Sequence, residues 1–275
     1  MYHLRQREFK LFCKLIYEKS GISLNDGKSE LVRTRLGKRI RKLGIPTFKE
    51  YYQFLSKNPR DPEMFNMLDA ITTNKTSFFR EPHHFDFLNK TVLPKLLKEK
   101  KKSRDGVFRI WSAACSTGEE VYSIAITLLE FFENHSGYKI QVLGTDLSIQ
   151  ALNIAIRGIY EKSRITDISM DLFRKYFLRG ENKWRRFYMV KPELSKIVCF
   201  KRVNLVYDDF SFPFSFDIIF CRNVMIYFDQ NTREKLIEKC HSILNPGRYL
   251  FIGHSESLVG IKHKFQYVEP TIYKK

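Results

Sequence analysis

Through the first seventy positions apolar residues recur at helical spacing, and after residue 105 they gather into short strand-like runs. Leu4, Phe9, Phe12, Leu15 and Ile16 form one apolar stripe, which predicts an opening helix that Gly21 ends. A second helix is expected over Ser29 to Leu43, with Val32, Leu36, Ile40 and Leu43 on one face. A long helix from Glu81 to Lys102 should end in the charged run from Lys98 to Arg104. Strands are then expected at 107–112, 140–145, 197–203 and 217–221, with helices at 119–133, 148–157 and 230–244 between or after them. The helix at 119–133 sets Val121, Ile124, Ala125, Leu128, Leu129 and Phe132 at i, i+3, i+4, i+7. Pro246-Gly247 reads as a turn, and Tyr249 to Gly253 with Gln266 to Tyr273 as a terminal strand pair. Alternation of this kind predicts an α/β fold, a doubly wound and mostly parallel sheet covered on both faces. The domains expected are a helical one over 1–72 and a sheet domain over 73–275. Residues 160–200 break the rhythm: a helical piece near Met170–Phe177 precedes alternating aromatic and basic residues, so a small β insert is expected near 178–200.

The 275 residues and 43% hydrophobic content suffice for two cores. No apolar run approaches the roughly 20 residues of a membrane helix, and the N-terminus lacks a signal-peptide apolar region. Five cysteines without a CxxC point to reduced thiols and a cytoplasmic protein. A net charge of +18 points to an anionic partner, which charge alone does not identify: nucleic acid, membrane surface or acidic protein. Part of that charge lies beside the apolar face of the second helix, at Arg35, Lys38, Arg39 and Lys42. This basic face reads either as a partner-binding surface or as an ordinary solvated helix face.

The candidate chemistry lies at strand ends. Ser112-Ala-Ala-Cys-Ser-Thr-Gly118 occupies the place of a glycine-rich loop but is neither GxGxxG nor a P-loop. Its small residues would let a ligand approach the backbone. Thr117 and Glu120 have capping-box spacing. With Glu119 and Glu120 at the helix start, phosphate fits poorly, and a cofactor with a cationic centre and a ribose fits better. Asp146, 28 positions after Gly118, could accept both ribose hydroxyls or cap the helix starting at Ser148. Asn204 and Leu205 could supply an amide for an adenine edge and an apolar wall. His83-His84 suggests a metal, but adjacent helix positions do not face each other and no further ligand motif is present, so no metal is expected. Cys221 follows Phe among apolar residues and reads as packing, not as a nucleophile.

Four motifs in order carry a resemblance: Ile71-Thr-Thr-Asn-Lys-Thr-Ser-Phe-Phe-Arg-Glu, Trp111-Ser-Ala-Ala-Cys-Ser-Thr-Gly-Glu-Glu, Phe220-Cys-Arg-Asn-Val-Met-Ile-Tyr-Phe-Asp and Gly253-His-Ser-Glu-Ser. Together they closely resemble the chemotaxis receptor (protein-glutamate) O-methyltransferases. The resemblance implies a Rossmann-like fold that binds S-adenosylmethionine and releases S-adenosylhomocysteine. It implies cofactor contacts at Asn74, Thr76, Arg80, Glu120, Asp146, Asn204, Leu205, Cys221 and Arg222. It also makes Arg80 and Tyr227 candidates for the reacting region, and 160–200 the family's small β-subdomain. The implied partner is the cytoplasmic helical domain of chemoreceptors, engaged by a monomer without membrane insertion. Tyr227 could equally be a core tyrosine with a satisfied hydroxyl.

Glutamate methylation needs no general base, because a carboxylate of pKa about 4.3 is already ionised. That accounts for the lack of a Ser-His-Asp or Cys-His set. A nucleic-acid methyltransferase would carry Asn/Asp-Pro-Pro-Tyr/Phe where Cys221-Arg-Asn-Val stands, so nucleic acid is not expected as partner. The other alternative is a non-catalytic module that senses the cofactor.

Overall fold

A computed structural model describes residues 2–100, 106–210 and 212–275. Four helices open the chain: α1 (Gln6–Ser20), α2 (Ser29–Leu43), α3 (Phe48–Lys57) and α4 (Pro62–Ile71). They enclose a core of their own around Phe9, Phe12, Ile16, Leu36, Ile40, Tyr51 and Met67. The start of α3 is fixed by the Thr47 hydroxyl, which accepts from the amide of Glu50. Asp61 does the same for α4 through the amide of Glu63.

The helix expected over 81–102 is three pieces: α5 (Pro82–Phe87), a π-helical turn over Leu88–Val92, and α6 (Leu93–Lys100). The remainder of its charged run, Lys101 to Arg104, lies outside the described residues. Then follow β1 (Val107–Ala113), α7 (Glu119–Phe132), β2 (Lys139–Asp146) and α8 (Ile149–Arg157). A smaller unit comprises β3 (Ile159–Glu161), α9 (Met170–Tyr176), β4 (Phe177–Arg179) and β5 (Phe187–Val190), and α10 (Pro192–Ser195) leads out of it. The chain closes with β6 (Val198–Arg202), β7 (Phe216–Cys221), α11 (Gln230–Ile243), β8 (Leu244–Ile252), β9 (Gln266–Glu269) and β10 (Ile272–Lys274).

The large sheet runs β6-β2-β1-β7-β8-β10-β9. The pairs from β6 through β8 are parallel, and β10 is antiparallel to both β8 and β9. From β1 the chain first builds outward through β2 to β6, then returns to the other side of β1 with β7. The strand order therefore reverses between β1 and β7, the place where open α/β sheets bind ligands. Side chains alternate between two cores: Phe108, Ile110, Ile218 and Phe220 pack on one face, and Trp111, Ala113, Ile219 and Cys221 on the other.

Three expectations change. The Pro246-Gly247 dipeptide does not end an element, because β8 passes through it with a register shift against β7. The terminal pair is three strands, since Pro270 and Thr271 turn the chain back between β9 and β10. The β insert begins earlier than 178: its sheet, β3-β5-β4, recruits Ile159–Glu161 directly after α8. Three short strands cannot be seen in hydrophobic periodicity when two of them hold three residues each.

The helical domain is fastened to the sheet's carboxyl edge near Gly21. The Ser23 amide donates to the Tyr227 carbonyl at 2.8 Å, and the Asn204 side-chain amide donates to the Lys19 carbonyl at 2.8 Å. The Tyr17 hydroxyl donates to Asp229 at 2.6 Å, and the Tyr207 hydroxyl to the Tyr17 carbonyl at 2.8 Å. Gly21 is required here twice. Its φ of 73° is left-handed, and a Cβ would lie 2.5 Å from Val206 Cγ2.

Candidate active site

A cavity of about 400 Å³ lies where the strand order reverses, a size that suits a nucleotide-like cofactor. The ends of four parallel strands reach it: Ala114, Cys115 and Ser116 after β1, Asp146 and Leu147 at the end of β2, Val203 to Leu205 after β6, and Arg222 to Val224 with Ile226 to Phe228 after β7. The helical domain adds Ser20 and residues 22–25, and the segment joining the domains adds Asn74, Thr76 and Arg80. Of the expected site residues, Asn74, Thr76, Arg80, Glu120, Asp146, Asn204, Leu205, Arg222 and Tyr227 thus meet around one space.

The β1–α7 turn is held in unusual backbone geometry, with Ala114 at φ 60°, Ser116 at φ 52° and Gly118 at φ 93°. Gly118 is glycine for packing, not for ligand access. A Cβ there would lie 2.7 Å from the Ala155 Cβ on α8. The expected capping box does not form, and Gly118 is the N-cap of α7. Thr117 instead donates its hydroxyl to Glu119 at 2.6 Å and accepts from Arg164 at 2.8 Å. Glu120 turns toward the sheet and accepts from the Ser112 hydroxyl at 2.6 Å.

Asp146 is buried at the cavity wall. Its Oδ1 accepts from the Ser148 amide and its Oδ2 from the Ser116 amide, each at 2.8 Å. The cap of α8 is the Ser148 hydroxyl, which accepts from the Ala151 amide, so Asp146 is not the N-cap. Burial raises the Asp146 pKa, against the lowering effect of those two amides. A carboxylate accepts up to about four hydrogen bonds, so the residue still fits a vicinal diol.

Arg222 lies beneath the cavity with its side chain 1% exposed. One guanidinium nitrogen is 3.0 Å from Glu81 Oε2 and the other 3.2 Å from Glu120 Oε2, while Arg222 Nη2 also donates to the Arg80 carbonyl. Burial raises the Glu120 pKa, and Arg222 and Ser112 oppose it. For Glu81, burial is outweighed by Arg222, the His254 amide and Asn223, and the pKa falls.

Several expected site residues make contacts within the chain. Cys221 is fully buried but lies away from the cavity lining. The hydrogen bond with Cys240, and then burial, raise its pKa well above normal, so it packs as a neutral thiol. The Asn204 amide donates one N–H to the Lys19 carbonyl and accepts from the Val206 amide, which holds the side chain in place at the cavity wall with a second N–H to spare. The basic face of α2 is also smaller than expected. Arg35 donates to the carbonyls of Ile71 and Thr72 at 2.7 and 2.8 Å, capping α4. Arg39 grips the buried Glu63 with both arms, and the Tyr51 hydroxyl joins at 2.8 Å. Burial opposes ionisation of Glu63, but Arg39, Tyr51 and Asn66 together hold its pKa below normal. Lys38 and Lys42 remain exposed. Arg39→Ala should therefore lower the melting temperature of the protein, through a loss of about 1.5–3 kcal/mol for a charged hydrogen-bonded partner. Thermal unfolding followed by circular dichroism checks this, and an unchanged melting temperature would return Arg39 to the surface.

One residue had no role assigned from sequence. Glu256 is buried and accepts four backbone amides: Gly253 at 2.6 Å, Asn223 at 2.9 Å, Val224 at 2.9 Å and Met225 at 2.7 Å. It thereby fixes the turn that leads to Tyr227. Gly253 is tied to the same turn, since a Cβ would lie 2.3 Å from Asn223 Nδ2. Nearby, His254 meets the pair His83-His84. Its Nε2 lies 3.0 Å from His83 Nδ1, and the His83 and His84 ring centroids are 4.1 Å apart despite their adjacency. Burial drives the His84 pKa down to about 2.

The CheR methyltransferase SAM-binding domain matches residues 74–274, and the CheR methyltransferase all-alpha domain matches residues 7–72. This chain belongs to the CheR methyltransferase family. It is 42% identical over 274 residues to the chemotaxis protein methyltransferase of Borreliella burgdorferi, covering 99% of this chain and 95% of that one. It is 39% identical over 270 residues to the enzyme of the same description from Salmonella typhimurium, covering 98% and 90%. Among solved structures, PKMT2 from Rickettsia typhi in complex with AdoHcy aligns at 19% identity over 54% of this chain and 21% of that one, with a TM-score of 0.31. Membership makes the chain an S-adenosylmethionine-dependent methyltransferase, with a doubly wound sheet behind a helical domain. Among the described residues no helix is long and apolar enough to cross a membrane.

Proposed function

We propose that this CheR methyltransferase esterifies glutamate side chains on the cytoplasmic helical domain of chemoreceptors, acting as a cytoplasmic monomer. The observation that carries the proposal is the shared cavity, which Asp146, Arg80 and Tyr227 line together with residues of the helical domain. When bound, S-adenosylmethionine supplies a methyl group made electrophilic by its sulfonium. Asp146 would accept the ribose hydroxyls, Leu205 would wall the base, and Asn74 and Thr76 would close the segment between the domains. Glu120 lines the cavity 3.2 Å from Arg222, whose charge opposes the upward shift that burial gives its carboxyl.

The chain's remaining task is to align an ionised carboxylate with that methyl group and to exclude water. Arg80 suits the first part, as its fork can orient a carboxylate. Its Nη1 is already steered by the Lys75 carbonyl at 3.1 Å. Tyr227 stands on the turn fixed by Glu256, with its own carbonyl held by Ser23, so its backbone is positioned from two sides. Lys38 and Lys42, exposed on α2, would draw an acidic receptor surface toward the rim, an attraction screened beyond about 8 Å at physiological salt.

The test is methyl transfer from labelled S-adenosylmethionine to receptor-containing membranes. The product should release methanol in alkali, as a carboxyl ester does. Arg80→Ala and Tyr227→Phe should each lower the single-turnover rate on the order of tenfold or more while leaving the melting temperature unchanged. Wild-type rates in both variants would remove them from the reacting region. Label appearing in added DNA or RNA and not in receptor would overturn the proposed function.

A further inference from the structure

We propose that His83, His84 and His254 form a binding site for a borderline divalent transition cation such as Zn²⁺ or Ni²⁺. Each of the three residues offers a ring nitrogen, and these atoms all lie within 4.8 Å of one another. Tetrahedral ligation with bonds of about 2.0–2.1 Å needs ligand nitrogens roughly 3.3 Å apart. His254 Nε2 lies 3.0 and 3.2 Å from the two nitrogens of the His83 ring, only one of which can ligate, so the His83–His254 spacing already suits an ion, and the wider separations within the trio would close on binding.

A second observation points the same way. His84 is 0% exposed, and its Nε2 is engaged by the Thr271 hydroxyl at 2.7 Å. Its Nδ1 is buried without a hydrogen-bond partner. The nearest carboxylate oxygen, Glu81 Oε2, is 3.5 Å away and faces Arg222. An unmet ring nitrogen beside two other imidazoles is what a metal would satisfy. The anchored nitrogen on the other side of the ring resembles the outer hydrogen bond that orients a ligating histidine. His254 is exposed and His83 half-buried, which leaves a path from solvent and room for water as a fourth ligand. All-imidazole ligation selects zinc, nickel or copper over magnesium and calcium.

The backbone supports the convergence. Pro82 opens α5, and Glu81 before it is left-handed at φ 60°, so the first turn of that helix presents both histidines toward the loop after β8. A bound cation would join α5 to the 253–256 loop, the same loop whose Glu256 fixes the approach to Tyr227. The ion would clip the structure and take no part in methyl transfer.

The probe is Co²⁺, followed by its visible absorption, with Zn²⁺ as competitor. The protein carries Cys13→Ser and Cys199→Ser, which removes the cysteines that are not buried. One equivalent should bind at micromolar concentration with a tetrahedral spectrum. His83→Ala and His254→Gln, both at sites open to solvent, should each weaken binding by about tenfold or more. Zinc should raise the melting temperature of the parent and not of His254→Gln. The proposal is overturned if the parent binds no equivalent below millimolar concentration. It is equally overturned if binding survives in both variants, which would assign it to His3, His135, His241 or His263.

Discussion

Arg222→Met is expected to destabilise the protein by about 3–5 kcal/mol, because it leaves buried charge without its partner. The guanidinium stands between Glu81 and Glu120, and methionine fills its volume without answering either carboxylate. For a chain of this size each kcal/mol shifts the melting temperature by roughly 2–4 °C. The pH dependence identifies the cause. Without Arg222, the Glu120 carboxyl, which burial already raises above the unfolded value of 4.5, loses the charge that opposes that rise, and Glu81 loses one of the partners that lower it. Protonation then favours the folded state, so the variant should regain stability as pH falls from neutrality toward 4.5. The parent has the opposite behaviour at Glu81. Its lowered pKa gives stability that is present above 4.5 and lost as pH falls through the folded value. Melting curves of both proteins from pH 7.5 to 5 would check this. A deficit that does not shrink in acid would mean that Arg222 contributes packing and not charge.

Asp146→Ala should weaken S-adenosylmethionine and S-adenosylhomocysteine binding by about 10- to 100-fold, the worth of a charge-assisted hydrogen bond of roughly 1.5–3 kcal/mol. The residue has a second duty, since its carboxylate also accepts the Ser116 and Ser148 amides. The variant should therefore melt at lower temperature as well. Titration calorimetry well below that melting temperature separates the two effects. Unchanged affinity in folded protein would remove Asp146 from the cofactor site.

The helices and parallel strands were legible because their apolar residues repeat at 3.6 or lie in buried runs. Ser29–Leu43 illustrates this, and its predicted bounds match α2. The place of Asp146 on the cavity was legible because the carboxyl ends of parallel strands converge on the crevice where strand order reverses. What escaped depends on distance along the chain. Arg39 and Glu63 are 24 positions apart, and nothing in α2 alone distinguishes Arg39 from the exposed Lys38. Glu256 acts on backbone amides 31 to 33 residues away, a role that carries no side-chain pattern. Thr117 and Glu120 had the spacing of a capping box, but Ser112 and Arg164 offered stronger partners. His254 stood in a motif used for recognition, and its approach to His83-His84 depends on the loop after β8.

The junction around Gly21 limits how this protein can be recombined with its relatives. Helix α1 and the residues after it exchange hydrogen bonds with Asn204, Tyr207, Tyr227 and Asp229, and Val206 fills the space that a side chain at position 21 would need. A chimera that grafts another member's helical domain onto this sheet, to redirect it to other receptors, would splice across that contact. Such an exchange should succeed only when residues 17–23 travel together with matching residues at 204–207 and 227–229. Under the proposed function, the helical domain's choice of receptor and the position of Tyr227 would be inherited as one unit.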